Sequence, residues 1–306
     1  MALDPFIVGM LAKMKAAGQP PLTQGTPDEI RARVAAGRAV LGPGPEMEEV
    51  RTVSIPTRAG SIEGRLFRPL ARPSGLLVYQ HGGGWVVGTL DDYDTLARRI
   101  AAESGAAVLL TAYRLAPEHP FPAGLEDVED AIRWAAGHVG DLVGRPAPIA
   151  VGGDSAGANL STVALRRLAG RMDVALQILL YPVVDCDFDT PSYAEHGEGL
   201  PLTRADMQWF FQRYAPDVPH DTPDISPLRA DALGAMPPTY IATAEYDVLC
   251  DEGEAYARKL ADAGVPVRRH RYQGGTHGFA RLHNLYPTAD RLMVDVASEL
   301  KQHFAR

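Results

Sequence analysis

Ser155 stands in the stretch Val151-Gly152-Gly153-Asp154-Ser155-Ala156-Gly157-Ala158-Asn159, after the apolar run Pro148-Ile149-Ala150 and before a helix-like run from Leu160 to Leu168. Gly153, Ser155 and Gly157 make the pattern G-x-S-x-G. A serine between a strand and a helix must turn so sharply that the residues two places away on either side can carry no bulky side chain. The same turn pushes its hydroxyl clear of the sheet. A nucleophile needs that exposure, and the helix that follows aims its free amides back at the turn, which favours negative charge there. A glycine-rich turn with an incidental serine is the competing reading, so the pattern must be judged by its partners.

A serine hydroxyl attacks poorly until a base removes its proton, and an acyl intermediate needs donors for its oxyanion. His81-Gly82-Gly83-Gly84-Trp85 follows the apolar run from Leu76 to Gln80, where a glycine-rich loop can turn backbone N–H groups toward a reacting carbonyl oxygen. Neither this loop nor Gly152 to Gly157 satisfies G-x-G-x-x-G or the phosphate-loop pattern with its lysine, which argues against a nucleotide site. Of nine histidines, His277 is the preferred base, because Gly274-Gly275-Thr276-His277-Gly278-Phe279 follows the last strand-like run. The sequence thus puts it in a mobile, exposed loop at the sheet edge where ligands of open α/β sheets gather. His81 is read as a buttress of the glycine loop, and Asp154 as structural, facing away from the elbow.

The acid that orients the base should lie between Ser155 and His277, at the end of the preceding strand. Asp247 in Ala244-Glu245-Tyr246-Asp247-Val248-Leu249 fits, with Glu245, Asp251 and Glu252 as rivals. Asp251 is expected to be occupied as a helix cap and Glu252 to point into solvent on the first helical turn, which leaves Asp247. No H-E-x-x-H or comparable cluster suggests a metal site, and none of these motifs calls for a cofactor.

The elements that must hold these groups follow from periodicity. Phe6, Ile7, Met10, Leu11 and Met14 recur at helical spacing, so an amphipathic helix opens the chain. Thr26-Pro27-Asp28-Glu29 reads as a second helix start with a capping box, carrying Ile30, Val34 and Val40 on its apolar side, before Gly42-Pro43-Gly44-Pro45 breaks it. Val50, Val53, Ile55 and Ile62, Leu66 flank the turn Thr57-Arg58-Ala59-Gly60 as a hairpin. Strand-like runs then follow at Leu76 to Tyr79, Ala107 to Leu110, Ile149 to Gly152, Leu176 to Leu180, Thr239 to Thr243 and Val265 to Tyr272. They alternate with helical ones. Leu125, Val128, Ile132, Ala135 and Val139 share one face, and Asp251 to Ala263 is opened by an Asp251/Glu254 capping pair and closed by Gly264. That alternation predicts an α/β fold with a mostly parallel sheet covered on both faces. Between Tyr181 and Pro227 no strand is expected, and one helix starts at Thr203 with Met207, Phe210, Phe211 and Tyr214 on one face. These four either pack that insertion onto the domain or roof a pocket with the N-terminal helices.

The totals bound the partners. A net charge of -8, with no cluster of five or more basic residues, argues against a nucleic-acid surface, and 46% apolar residues suffice for a large core. The two cysteines, Cys186 and Cys250, indicate neither a disulfide framework nor a zinc site, which suits a reducing compartment. With no basic leader and no apolar run of about 18 residues, no membrane association is expected and the cytoplasm is the expected location.

Alongside H-G-G-G-W and G-D-S-A-G, the chain carries Tyr113-Arg114-Leu115-Ala116-Pro117-Glu118-His119-Pro120-Phe121-Pro122-Ala123 and Asp224-Ile225-Ser226-Pro227-Leu228. In these motifs, spread over nearly the whole length to Phe279, it resembles the hormone-sensitive-lipase-like esterases of the α/β-hydrolases. The resemblance implies an α/β-hydrolase fold with a helical cap. Residues 1–45 and the insertion 186–225 would form the cap, and residues 46–185 and 226–306 the two parts of the core. It implies a Ser155, Asp247 and His277 triad, an oxyanion hole from the amides of Gly83, Gly84 and Ala156, and a small-molecule ester of short to medium chain length as substrate. Trp85, Phe210, Phe211 and Tyr214 are the candidate pocket residues. One departure stands out: the family's acid motif reads D-P-L-x-D-E, and here Val248 replaces the proline. An amidase, a carbamate hydrolase or a deacetylase would use the same residues, and a non-catalytic binding module could share the fold. A homodimer is compatible with the sequence, which specifies no oligomeric state.

Overall fold

The computed structural model describes residues 3–18 and 20–305. In chain order the elements are α1 (Pro5–Ala16), α2 (Pro27–Ala36), β1 (Glu49–Thr57), β2 (Gly60–Arg68), β3 (Leu76–Gln80), α3 (Leu90–Ser104), β4 (Ala107–Thr111), α4 (Ala123–Gly137) and α5 (Val139–Val143). They continue with β5 (Ile149–Asp154), α6 (Ala156–Arg167), β6 (Leu176–Leu180), α7 (Pro191–His196), α8 (Arg204–Tyr214), β7 (Thr239–Tyr246), α9 (Cys250–Asp262), β8 (Val267–Thr276) and α10 (Pro287–Phe304).

The eight strands form one sheet in the order β1-β2-β4-β3-β5-β6-β7-β8, parallel from β4 through β8, with the β1–β2 hairpin antiparallel at one edge. Strands β3 to β6 are buried along their whole length, because helices cover both faces; hence they read as unbroken apolar runs rather than alternating ones. Successive residues still serve opposite layers. Leu76 and Val78 of β3 face the core shared with α4 and α6, while Leu77 and Tyr79 face the one shared with α3 and α10. Each such fully buried aliphatic side chain contributes about 2 kcal/mol. The outer strand β8 exposes Arg268, Arg269 and Arg271, charges of the kind that discourage an edge from pairing with another chain.

Helix starts follow the sequence. The Thr26 hydroxyl accepts from the Glu29 amide while the Glu29 carboxylate accepts from the Thr26 amide, and Thr203 and Asp206 do the same at α8. The insertion between β6 and β7 holds α8 as expected, and α7 in addition. Arg166 and Arg167 of α6 both pair with Asp224, tying the far end of the insertion to the helix that follows Ser155.

Several expectations need correction. Helix α2 ends at Ala36, and Val40 lies in a separate 3-10 turn at 66% exposure, so it is no part of an apolar face. Val139 begins α5 rather than continuing α4. Helix α9 is preceded by Leu249 with no side-chain cap. Asp251 instead accepts from the Ser192 amide of α7 at 2.7 Å, and Glu254 accepts from the Thr243 hydroxyl at 2.9 Å. Of the expected face of α1, Ile7 is buried, Phe6 stacks on Tyr286, and Met14 is exposed.

Candidate active site

Sheet register brings the chemistry-bearing residues together. Strand β8 does not stop at Tyr272; after a bulge, Thr276 pairs with Tyr246 of β7. The residues that follow this pair on the two strands are Asp247 and His277, so parallel pairing sets them side by side. Glu245 holds the bulge by accepting from the Gly274 amide at 2.7 Å. His277 therefore leaves directly from a paired strand, and its side chain is only 13% exposed rather than lying on an exposed loop. Its Nδ1 stands 2.8 Å from Asp247 Oδ2, and its Nε2 stands 2.9 Å from Ser155 Oγ. With the proton on Nδ1 donated to Asp247, Nε2 is the free acceptor for the serine hydroxyl.

Ser155 joins β5 to α6 at φ 52°, ψ −119°, a left-handed conformation that non-glycine residues rarely adopt. The elbow's glycines are needed because strand β3 lies so close. A Cβ at Gly153 would collide with the Gln80 carbonyl, and one at Gly157 with the carbonyls of both Gln80 and His81. Ala156 is the first residue of α6, where the amide has no partner within the helix. The Gly82 amide donates to Asp154 Oδ1 at 2.9 Å. Among the described residues, the amides of Gly83 and Gly84 donate to no protein group. The amides of Gly83, Gly84 and Ala156 are therefore uncommitted, and uncommitted backbone donors can stabilise developing negative charge.

His81 is buried at 1% exposure, stacked on Tyr113 with ring centres 4.5 Å apart, and its Nδ1 lies 2.8 Å from the Gly82 carbonyl. Burial pushes its pKa down to about 4, so the ring is neutral and props the loop. The Tyr113 hydroxyl, two residues beyond the end of β4, donates to the His81 carbonyl. Arg31 of α2 grips the same region: its Nε donates to the Val86 carbonyl at 2.9 Å, and its guanidinium forks onto Glu118. The sequence reading missed Arg31; the only sign was a basic residue one helical turn past the Thr26 cap. It also missed Tyr181, which sits at φ 36° directly after β6 with its ring edge-on to His277, 4.9 Å between centres.

The aromatic candidates divide. Trp85 stacks on Tyr214 with ring centres 4.3 Å apart and meets Phe211 edge-on at 5.2 Å; all three are at most 2% exposed. They cement α8 to the glycine loop rather than lining open space, which differs from the pocket expectation. Their stacking gain, about 1 kcal/mol per pair beyond burial, accounts for the i, i+4, i+7 face without a ligand. Phe210 packs directly on the glycine loop, so close to Gly84 that a Cβ there would strike its ring. A cavity of about 980 Å³ lies between the N-terminal segment and residues 193–208, bordered by Met14, Leu22, Tyr193, Leu200 and Thr203; it does not reach Ser155 or His277.

The rivals of Asp247 are engaged elsewhere: Glu245 at the bulge, Asp251 on Ser192, and Glu252 in the interior rather than in solvent. Glu252 is 2% exposed, and its Oε1 accepts from the Val184 and Asp185 amides at 2.7 and 3.2 Å. Burial raises its pKa well above the ordinary carboxylic value. A raised acid holds its proton in the folded state while the unfolded chain releases it, so this group makes stability fall as pH rises above the unfolded value of about 4.3. Glu252→Gln keeps the acceptor oxygen and is expected to flatten that decline. Melting temperatures of both proteins from mildly acid to neutral pH check it; parallel curves would refute the account.

Among the described residues there is no group of three or more His, Cys, Asp or Glu able to hold a metal ion, and no helix is long and apolar enough to cross a membrane. Cys186 and Cys250 are both free thiols.

Comparison with known proteins places this geometry in context. Residues 77–281 match a family described by its alpha/beta hydrolase fold. The chain is 41% identical to the carboxylic ester hydrolase LipN of Mycobacterium tuberculosis, over 99% of this chain and 84% of that protein. It is 36% identical to an ethyl acetate hydrolase of Pseudomonas putida, over 99% of this chain and all of that protein. A hyperthermophilic esterase from Pyrobaculum calidifontis superposes with a TM-score of 0.93 at 35% identity, covering 99% of each chain.

Proposed function

This chain belongs to the alpha/beta hydrolase family, in its hormone-sensitive-lipase-like branch, and we propose that, as a carboxylesterase, it cleaves small esters through an acyl-enzyme on Ser155. The observation that carries the mechanism is the unbroken relay from Ser155 Oγ to His277 Nε2 at 2.9 Å and from His277 Nδ1 to Asp247 Oδ2 at 2.8 Å. Ser155 Oγ attacks the ester carbonyl carbon while His277 Nε2 takes its proton. Asp247 keeps the ring in the required tautomer and stabilises the imidazolium. The carbonyl oxygen, now an oxyanion, is held by the amides of Gly83, Gly84 and Ala156. His277 then gives its proton to the departing alkoxide, an alcohol leaves, and water repeats the sequence to release the acid and restore Ser155.

The cap consists of residues 1–45 with the insertion 186–225, standing over a core of residues 46–185 and 226–306. Its support is that the 3-10 turn at Leu22–Gln24 packs against α8, so the two cap pieces meet over the glycine loop that Phe210 touches. A cap anchored by Trp85, Phe211 and Tyr214 limits the room for an acyl chain. Each methylene that fits contributes about 0.8 kcal/mol, and further ones contribute nothing or clash. Short- to medium-chain esters are therefore the expected substrates, with no jump in rate at an oil surface. The test is kcat/KM for an ester series from acetate to palmitate, below and above the solubility limit, with matched anilides beside it. Best turnover of palmitate, or a sharp rise once droplets form, would show that the cap opens as a lipase lid. Anilides cleaved as fast as esters would make the enzyme an amidase.

A further inference from the structure

Asp154 is a buried carboxylate that none of these steps uses, yet it binds the glycine loop and three tyrosines packed beside the elbow. At 2% exposure, its Oδ1 accepts from the Tyr79 hydroxyl at 3.0 Å and the Gly82 amide at 2.9 Å; its Oδ2 accepts from the Tyr93 hydroxyl at 3.1 Å, with the Tyr181 hydroxyl 3.5 Å away. These donors come from β3, the glycine loop, α3 and the end of β6. A carboxylate offers about four lone-pair sites, and four donors converge on this one. Contact with the loop is tight, since a Cβ at Gly82 would stand 2.5 Å from Asp154 Oδ2. The loop's amides thus divide by engagement: that of Gly82 is spent on Asp154, while among the described residues those of Gly83 and Gly84 have no protein acceptor.

We propose that Asp154 is a positioning residue for ester hydrolysis, fixing through the Gly82 amide the loop that presents the Gly83 and Gly84 amides to the oxyanion. The inference rests on the acyl-enzyme reading above. Oxyanion donors act only at the right distance, and a misplacement of about 1 Å can cost about 10² in rate. Asp154→Asn removes the charge that strengthens the Gly82 bond and turns an amide group toward hydroxyls that were donating. It fits the same volume.

The experiment measures kcat and KM for a soluble short-chain ester, together with the inhibition constant of an alkyl boronic acid, whose serine adduct is tetrahedral. Wild type, Asp154→Asn, Gly82→Ala and Ser155→Ala are compared. The expected result for Asp154→Asn is a fall in kcat of about 10 to 100-fold, little change in KM, and boronate affinity weakened in step with kcat/KM. Gly82→Ala, whose added carbon must displace the carboxylate, is expected to show the same signature and decides the matter should Asp154→Asn not fold. A folded Asp154→Asn with wild-type kcat overturns the proposal, as does a fall in kcat with boronate affinity unchanged, which marks a merely structural residue. These outcomes are separable from failure of the acyl-enzyme itself, which would appear as activity surviving in Ser155→Ala.

Discussion

Ser155→Ala is expected to lower kcat for ester hydrolysis by about 10⁶ while leaving the fold unchanged. The size follows from losing the atom that forms the covalent bond: with it gone, only binding and the backbone donors remain. The fold should survive because, among the described residues, the side chain hydrogen-bonds only to His277 Nε2, and because alanine meets the same left-handed backbone at φ 52° that serine does. Two measurements on purified protein check this: turnover of a soluble short-chain ester, and thermal unfolding. A folded variant that keeps more than a tenth of the wild-type rate would remove the acyl-enzyme from the mechanism.

Asp247→Asn should cost about 10⁴ in kcat, far more than Glu245→Gln or Asp251→Asn. Asn at position 247 can still accept from the Leu249 amide, which now reaches Oδ1 at 3.0 Å, so the turn after β7 has no reason to change. What changes is the partner of His277 Nδ1. An amide N–H aimed at that nitrogen makes it an acceptor, which moves the ring proton to Nε2 and leaves no base facing Ser155. The charge that would stabilise the imidazolium is lost as well, in a site where Asp247 is 1% exposed and water screens little. Glu245→Gln keeps an oxygen for the Gly274 amide, and Asp251→Asn keeps one for the Ser192 amide, so both should affect turnover only slightly. Kinetics of the three variants with one ester suffice. A larger loss from Glu245→Gln would identify a different acid.

The contrast among these carboxylates shows how far the chain could be read unaided. Gly153-Asp154-Ser155-Ala156-Gly157 was legible because the demand is local: a turn this sharp tolerates only small neighbours, whatever surrounds it. The sheet was legible for the same kind of reason, since strands covered on both faces must be apolar throughout. The capping boxes at Thr26 and Thr203 close within four residues and depend on nothing distant. Asp247 could be chosen by elimination, yet one premise of that choice was wrong: Glu252 is inside, held by the amides of Val184 and Asp185, which are far away in sequence.

What the amino-acid order determined by itself was the strands and their alternation with helices, the serine elbow, the glycine loop and a short list of acids and bases. Those features arise from backbone sterics and hydrophobic period, which act over a few residues. What only the tertiary structure decided was register and enclosure. The Tyr246 and Thr276 pairing, one step before Asp247 and His277, depends on a bulge stabilised by Glu245. The fate of Trp85, Phe211 and Tyr214 depends on α8 landing on the glycine loop. The convergence of Tyr79, Gly82, Tyr93 and Tyr181 on Asp154 requires four separate pieces of chain to meet. A helical stripe of aromatics or a lone buried acid looks the same in sequence whether it lines a pocket, cements a core or orients a loop, because the difference lies in which distant segment packs against it.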